Sequence, residues 1–352
     1  MSDFRIVNCD IGGDAPVFII AEVGNAHDGS LGAAHAYIDA VAGSGAQAIK
    51  FQTHLAEAES SGREPFRVKF SYQDSSRYDY WKRLEFSYLE WQGLKEHAEA
   101  EGLIFLSTPF SLQAVDLLAS LDVQAFKIPS GEVTNLPLLR AILETGKPIL
   151  MSSGMSSWYE LTRSVEFIRE RGGALALFQC TTAYPVDPTS VGLNVLNELR
   201  ERFQCPVGLS DHSGEQYAGI AASALGADLL EVHVTFSKHC FGPDTSSSIE
   251  VSELPQFISS CQNARQAALS HVCKDLVAEQ KSDLKLMFGQ SAFAARDLAM
   301  GEILDGSSYK LQKPIIGIKS SEILDFEGRE LVRAVSKNEP LTEAMFHLGD
   351  ES

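Results

Sequence analysis

Short apolar runs alternate along the first 270 residues with stretches whose apolar residues recur at helical spacing. The runs are short enough for buried strands, and several of the intervening stretches end in Gly, a common stop signal for a helix. Eight strand–helix units over about 250 residues predict a (β/α)8 TIM barrel, an α/β fold, in preference to a doubly wound open sheet. The candidate strands lie at 17–23, 48–54, 103–109, 125–130, 148–153, 175–181, 206–212 and 229–235.

The candidate strands are apolar where they start and polar or charged where they end. In a parallel barrel these ends meet at one mouth, where barrel enzymes carry their active sites. In the last run, Glu231 and His233 are two residues apart, so both side chains point to the same face. We therefore expect an active site at this mouth. The polar strand ends are Glu22, Lys50, Gln52, Thr108, Lys127, Ser130, Ser152, Thr181, Asp211, His212 and His233.

Two segments interrupt the alternation, and the chain continues beyond the barrel. Residues 55–87 are rich in aromatic and charged side chains, and their place after the second strand predicts a lid or wall for the site. Residues 237–252 read as a loop after the eighth strand. We predict a barrel over 1–270, a linker over 271–288 and a small β-rich domain over 289–352, because the tail has short alternating runs and turn signals.

The composition of the chain argues against several classes of binding partner. The net charge is −18 with a pI near 4.9 and no basic run, which argues against nucleic acid and anionic membranes. No stretch approaches the ~18 consecutive apolar residues of a membrane span. The start of the chain lacks a signal-peptide pattern, and the six cysteines show no disulfide or metal spacing, so we expect a cytoplasmic protein.

Several motifs, in order and spacing, resemble the sialic acid synthase family over nearly the whole chain. They include FIIAEVGNAHDGSLG, AIKFQTH, FLSTPFS, FKIPSGE, ILMSSGM, CTTAYP, GLSDHSG, EVHVTF and FGPDTSSSIE. The tail, with AARDLAMGEIL and GRELVRAVSKNEPLT, resembles that family's SAF (antifreeze-like) domain. The resemblance implies condensation of phosphoenolpyruvate with N-acetylmannosamine or a related 2-acetamido or 2,4-diacetamido hexose, with release of phosphate.

The same resemblance places a divalent metal on His212 and His233. Because the seventh and eighth strands are neighbours in a barrel, both imidazoles would meet at the mouth. Two neutral imidazoles with open positions suit Mn²⁺ foremost, with Mg²⁺ or Co²⁺ as alternatives. The metal would act as a Lewis acid on the sugar aldehyde.

The remaining strand-end residues match the family's substrate ligands. Glu22 corresponds to the acid–base residue. The phosphoenolpyruvate ligands would be Lys50, Lys127, Thr108, Ser130, Ser152 and Ser213, with charge-assisted hydrogen bonds to phosphate and carboxylate. A Schiff-base lysine is the competing chemistry, although two lysines among hydroxyls favour an anion site.

Gln52, Thr182, Tyr184 and Asp244 lie where the family contacts the amino sugar. Three positions depart from the family pattern: Val232 replaces a usual Lys, Thr182 a frequent Asn, and Lys313 an Arg that reaches a partner's active site. The family arrangement implies a domain-swapped homodimer.

We therefore expect a metal-dependent transferase that forms a C–C bond. Its alternatives are a 3-deoxy-ulosonate-phosphate synthase acting on a phosphorylated sugar, and a non-catalytic sugar-binding barrel. The SAF-like tail argues against the first alternative. The presence of Glu22 and both histidines argues against the second.

Overall fold

The computed structural model describes residues 4–66 and 70–347, and these divide into two compact units within 1–270 and 271–352. Strands β3 to β10 of the first unit run parallel, and β10 pairs with both β9 and β3, which closes the barrel. The predicted (β/α)8 barrel is confirmed. The barrel strands are β3 Phe18–Gly24, β4 Ala48–Thr53, β5 Ile104–Pro109, β6 Phe126–Ile128, β7 Ile149–Ser152, β8 Leu175–Cys180, β9 Val207–Asp211 and β10 Leu229–Thr235.

Helices follow the strands and cover the barrel. Several begin at a serine whose hydroxyl accepts from the backbone while an acidic residue three positions later bonds back, as with Ser87 and Glu90. The helices are α1 Leu31–Val41, α2 Ala56–Glu59, α3 Arg77–Leu84, α4 Tyr88–Ala100, α5 Leu112–Ser120, α6 Leu136–Glu144, α7 Trp158–Arg169, α8 Val195–Phe203, α9 Tyr217–Ala224 and α10 Leu254–Leu269. Among the described residues, none of the helices is both long and apolar enough to cross a bilayer.

A hairpin that the sequence pattern did not predict closes the amino-terminal end of the barrel. Strands β1 (Phe4–Ile6) and β2 (Cys9–Ile11) pair antiparallel. Their apolar side chains pack against the first inward-facing residues of the barrel strands, such as Phe18 and Leu150. This end is therefore filled with apolar side chains, and the polar residues of the interior lie toward the other end.

The predicted loop after β10 is partly regular. Strand β11 (Ser248–Glu250) adds to the edge of the barrel beside β10, with Ser248 opposite His233. The preceding short helix, Thr245–Ser247, follows directly after Asp244. This arrangement holds Asp244 close to the end of β10.

The second unit has its own apolar core, built from residues such as Leu298, Ile318 and Leu341. Strands β12 (Ser291–Ala294) and β13 (Tyr309–Gln312) form its antiparallel sheet. The predicted linker contains two helices, α11 (Lys274–Gln280) and α12 (Ser282–Phe288). Helical spacing within this polar stretch was not recognised in the sequence.

Candidate active site

A cavity of about 770 Å³ opens at the carboxyl ends of the barrel strands. Strand alternation builds it: positions two apart share the inner face, so apolar residues near the strand starts give way to polar ones near the ends. The predicted residues that line it are Glu22, Lys50, Gln52, Thr108, Lys127, Ser130, Ser152, Thr182, Tyr184, His212, His233 and Asp244.

One predicted site residue, Ser213, does not line the cavity, and its hydroxyl donates to Asp211 at 2.8 Å. Ser210, two residues before His212 and on the same face, lines the cavity instead. Lys313 belongs to the second unit, where its ammonium lies 5.7 Å from the ring centre of Phe288.

Lys127 and Glu231 form a buried ion pair in the cavity floor. The Lys127 Nζ lies 3.1 Å from Oε1 of Glu231 and donates to the hydroxyl of Ser152 at 2.8 Å. The hydroxyl of Ser210 donates to the same Glu231 oxygen at 3.0 Å. Burial raises the pKa of Glu231, but the nearby ammonium groups of Lys127 and Lys50 outweigh it and hold this pKa well below its usual range.

Lys50 connects both buried glutamates. Its Nζ lies 2.8 Å from Glu22 Oε2 and 3.6 Å from Glu231 Oε2, and it donates to Thr108 at 3.1 Å. Burial alone lowers the pKa of Lys50, but the two carboxylates outweigh it and raise this pKa. A lysine held as an ammonium is a poor amine nucleophile, which disfavours Schiff-base chemistry.

The two lysines and the two glutamates form a buried group of two cationic and two anionic side chains. Buried charged groups are tolerated only when they are paired in this way. The two ammonium groups nevertheless face a cavity whose surrounding donors are hydroxyls, Thr108, Ser130, Ser152 and Ser210. Such a set can bind a small polyanion through charge-assisted hydrogen bonds.

The two histidines meet in the same cavity. Their ring centres are 5.2 Å apart, and the ring planes are inclined at 67°. His212 Nδ1 lies 2.9 Å from the carbonyl oxygen of Thr181, so this nitrogen carries the proton and Nε2 keeps its lone pair. Burial, with a smaller effect of His233, lowers the pKa of His212 to about 3, and the imidazole is neutral.

This arrangement fits a two-histidine metal site. A neutral imidazole whose other nitrogen donates to a backbone carbonyl is the usual state of a metal-binding histidine. Asp244 Oδ2 lies 4.0 Å from His233 Nδ1, which is beyond hydrogen-bond distance but places a carboxylate beside the second ring. In the described part of the chain no group of three or more His, Cys, Asp or Glu residues is arranged to hold a metal ion, so other ligands would be substrate or water.

The segment 55–87, whose residues 67–69 lie outside the described ones, lines the outer cavity as expected for a wall. Trp81 of α3 packs with Tyr80 and Ala56 in a small apolar cluster to which Phe66 and Phe70 add. Phe66, Phe70, Tyr80 and Trp81 all face the cavity.

Several cavity residues were not predicted from the sequence. Alternation along β10 placed Glu231 on the inner face with His233, although no role was assigned to it, and the same alternation along β9 could have identified Ser210, two residues before His212. His54 ends the motif AIKFQTH but gave no signal of its own. The others that line the cavity include Asn25, Glu59, Phe110, Glu132 and Cys180.

Val232, the departure in β10, does not reach the cavity. Its side chain is buried in the apolar layer on the outside of the barrel. The adjacent Glu231 and His233 face inward, so the substitution changes packing between barrel and helices.

Comparison with known proteins agrees with this architecture. The NeuB family model matches residues 37–272 and the SAF domain model matches 289–347. An N,N'-diacetyllegionaminic acid synthase of Campylobacter jejuni is 33% identical over 92% of this chain and 98% of its own length. The human N-acetylneuraminate-9-phosphate synthase is 32% identical, over 95% of this chain and 94% of its own length.

A solved structure is similar as well. The crystal structure of an N-acetylneuraminic acid synthetase from Leptospira borgpetersenii, in complex with citrate, superposes with a TM-score of 0.71. It shares 27% identity and covers 80% of this chain and 95% of that one. The recognition of a sialic acid synthase-like barrel with a SAF domain is confirmed, and the chain belongs to the NeuB family.

Proposed function

We propose that this protein condenses phosphoenolpyruvate with an open-chain 2-acetamido sugar, such as N-acetylmannosamine or a 2,4-diacetamido hexose, to give a nonulosonic acid and phosphate. The observation that carries the proposal is the pair of buried ammonium groups, Lys50 and Lys127, beside the carboxylate of Glu22 in one cavity. The names of two relatives support it: the bacterial one is a synthase of N,N'-diacetyllegionaminic acid, and the human one is a synthase of N-acetylneuraminate 9-phosphate.

Phosphoenolpyruvate would lie between the two lysines. Its phosphate and carboxylate would take hydrogen bonds from Lys50, Lys127 and the hydroxyls of Thr108, Ser130 and Ser152. Ser213 is not among these ligands, since it does not line the cavity, and the hydroxyl of Ser210 is engaged with Glu231. The substrate's anionic groups would compete with Glu22 and Glu231 for the ammonium protons.

The proposed reaction consumes one molecule of water for each phosphoenolpyruvate and each sugar. C3 of phosphoenolpyruvate bonds to the aldehyde carbon, and water bonds to C2. Glu22 takes a proton from that water and passes it to the developing sugar alkoxide. The bond between C2 and the oxygen that bridges to phosphorus then breaks, and that oxygen leaves with phosphate. The second proton of the water leaves with phosphate as well, and C2 becomes a ketone.

His212 and His233 would hold a divalent metal, Mn²⁺ foremost and Mg²⁺ or Co²⁺ as alternatives, which when bound supplies a Lewis acid for the aldehyde oxygen. The protein's own contribution is to hold the two imidazoles together at the mouth, with His212 neutral. Tyr184 stacks on His212 at 4.2 Å between ring centres and limits its rotation.

The acceptor would occupy the outer cavity. Gln52, Thr182, Tyr184 and Asp244 supply polar contacts there, and the wall of segment 55–87 supplies aromatic faces. Apolar ring faces and acetamido methyl groups pack well on such a wall. The non-catalytic alternative is disfavoured because Glu22 and both histidines converge in the cavity.

A substrate panel tests the proposal. Phosphoenolpyruvate and Mn²⁺ are supplied with N-acetylmannosamine, its 6-phosphate, or 2,4-diacetamido hexoses, and phosphate release and product mass are followed. We expect phosphate and a nine-carbon acid in equal amounts with at least one unphosphorylated sugar. Turnover only with the 6-phosphate would contradict an unphosphorylated acceptor and give a nonulosonic acid phosphate instead, and no turnover with any sugar would contradict the proposal.

The second unit would cap the cavity of a neighbouring copy, with Lys313 reaching its acceptor. Apolar side chains exposed on α11 and α12, such as Leu276, Leu286 and Phe288, give this unit a surface suited to a partner. Size-exclusion chromatography of the full chain should give a dimer, and of residues 1–270 a monomer. A monomer in both cases would contradict this assembly.

A further inference from the structure

A chain of hydrogen bonds leads from Glu22 out to the wall of the cavity. Gln52 Nε2 donates to Glu22 Oε1 at 2.9 Å. Gln52 Oε1 lies 3.2 Å from His54 Nε2 and also accepts from Asn25 Nδ2 at 2.9 Å. His54 Nδ1 lies 2.6 Å from Glu59 Oε1. The chain therefore connects β3, β4 and α2.

Hydrogen-bonding capacity sets the orientation of Gln52 in this chain. The carboxylate of Glu22 only accepts, so Gln52 must turn its amide nitrogen toward it and its carbonyl oxygen toward His54. That oxygen only accepts, so its contact with His54 requires Nε2 to donate, and the Nδ2 of Asn25 lies 3.4 Å from the same ring nitrogen. A short hydrogen bond joins His54 Nδ1 and Glu59 Oε1.

The wall of the cavity holds His54 in place. The imidazole stacks between Trp81 and Phe110, with ring centres 3.7 and 4.3 Å away and planes within 15° of parallel. The side chains of His54 and Glu59 are 4% and 7% exposed. A buried, stacked and doubly bonded imidazole cannot turn without breaking these contacts.

We propose that His54 and Glu59 are a positioning pair for Glu22. They fix the amide of Gln52, and Gln52 fixes the carboxylate oxygen that handles protons in the reaction. This inference rests on the role proposed above for Glu22. Segment 55–87 then has a second role in addition to forming a wall, because α2 and α3 set the orientation of the acid–base residue.

Three replacements of His54 separate its contacts. His54→Gln keeps a donor near the position of Nε2, His54→Asn keeps one near Nδ1, and His54→Phe keeps only the stacking. If the pair positions Glu22, kcat falls about 10- to 100-fold in the Phe and Asn variants, as expected when a reacting group is misplaced. The Gln variant should keep most of kcat, and the KM for phosphoenolpyruvate should stay within a few-fold in all three.

The exposed His271 supplies the matched control, since His271→Gln should leave kcat and KM unchanged. Equal kcat in wild type and His54→Phe would overturn the proposal. So would an equal loss in the Gln and Phe variants that parallels lowered thermal stability, because that pattern marks a purely structural residue.

Nitrogen-15 NMR of the histidine rings gives a readout independent of activity. The His54 signal, assigned by its loss in His54→Gln, should show a protonated Nε2 that couples to its hydrogen. An unprotonated Nε2 would overturn the proposed chain. Because this spectrum needs no substrate, a failure of the proposed reaction is distinguishable from a failure of the positioning pair.

Discussion

Lys127 Nζ and Glu231 Oε1 lie 3.1 Å apart at the floor of the cavity, and both side chains are only 4% exposed. Neither residue is stable there alone, since an unpaired buried charge is costly. The pair therefore joins stability to function: the two side chains neutralise each other in the buried floor, and the lysine is placed where an anionic substrate can bind.

Replacement of Lys127 separates its role in substrate binding from its role in stability. Lys127→Met should raise the KM for phosphoenolpyruvate at least 10-fold and lower the free energy of unfolding by about 3 kcal/mol, because Glu231 loses its nearest cation. Adding Glu231→Gln should recover much of the stability but not the activity. Urea unfolding and phosphate-release kinetics measure both effects.

The ion pair between Lys147 and Asp122 provides a matched control at the surface. Lys147→Met removes an exposed pair with Asp122 and should change neither quantity appreciably. An unchanged KM for phosphoenolpyruvate in Lys127→Met would contradict the assignment of Lys127 as a ligand of this substrate.

Glu22→Gln tests the acid–base role. The amide can still bond to Gln52, but it cannot take a proton from water, so kcat should fall about 10²- to 10⁴-fold. Binding of phosphoenolpyruvate, followed by calorimetry, should persist because both lysines remain. Glu57→Gln, at a largely exposed side chain, is the matched control. A kcat within a few-fold of wild type would show that another group handles the proton.

Removal of metal tests the two histidines. A chelator should abolish phosphate release, and Mn²⁺ should restore it in the wild type. His212→Ala and His233→Ala should each bind Mn²⁺ weakly, as measured by paramagnetic resonance of the free ion, and stay inactive. The exposed His239 provides a comparison, since His239→Ala should behave as wild type. Full activity in the chelated protein would end the metal assignment.

His27 predicts a pH effect on stability. Burial, with smaller effects of His54 and Arg83, lowers its pKa to about 3. The folded state thus binds fewer protons than the unfolded state below the ordinary histidine pKa of about 6.5, so stability falls as pH falls through that value toward 3. Between pH 7 and 5.5 this costs about 1 kcal/mol.

The variant His27→Asn isolates that effect. His27 Nδ1 accepts from the backbone N–H of Gly29 at 3.1 Å, and the asparagine oxygen can take over this bond. Denaturant unfolding followed by tryptophan fluorescence should show a pH dependence about 1 kcal/mol smaller than in wild type. An unchanged dependence would mean that His27 is protonated in the fold.

Much of the barrel was predictable because its signal is local. Each barrel strand is a short apolar run, and Glu22, Lys50 and His233 sit at strand ends where alternation points them inward. The hairpin Phe4–Ile11 was missed because three-residue strands carry almost no periodic signal. Ser213 was predicted from the family resemblance and its place next to His212, whereas alternation along β9 places Ser210 on the inner face.

The outer site could not be predicted for a different reason. His54 receives its environment from Glu59, Trp81 and Phe110, and the last two are distant in sequence. Only the tertiary path of segment 55–87 brings these side chains together. Val232 differs from these residues, because its position between Glu231 and His233 already places it on the opposite face of the strand.

Phosphoenolpyruvate labelled with ¹⁸O in the bridge between C2 and phosphorus tests the central claim most directly. With wild-type protein, Mn²⁺ and the preferred acceptor, mass spectrometry of both products reports which bond breaks. Condensation with water added at C2 predicts that the label leaves in phosphate and that the nonulosonic acid is unlabelled. Label retained in the acid, or labelled pyruvate without a C–C product, would contradict the proposed function.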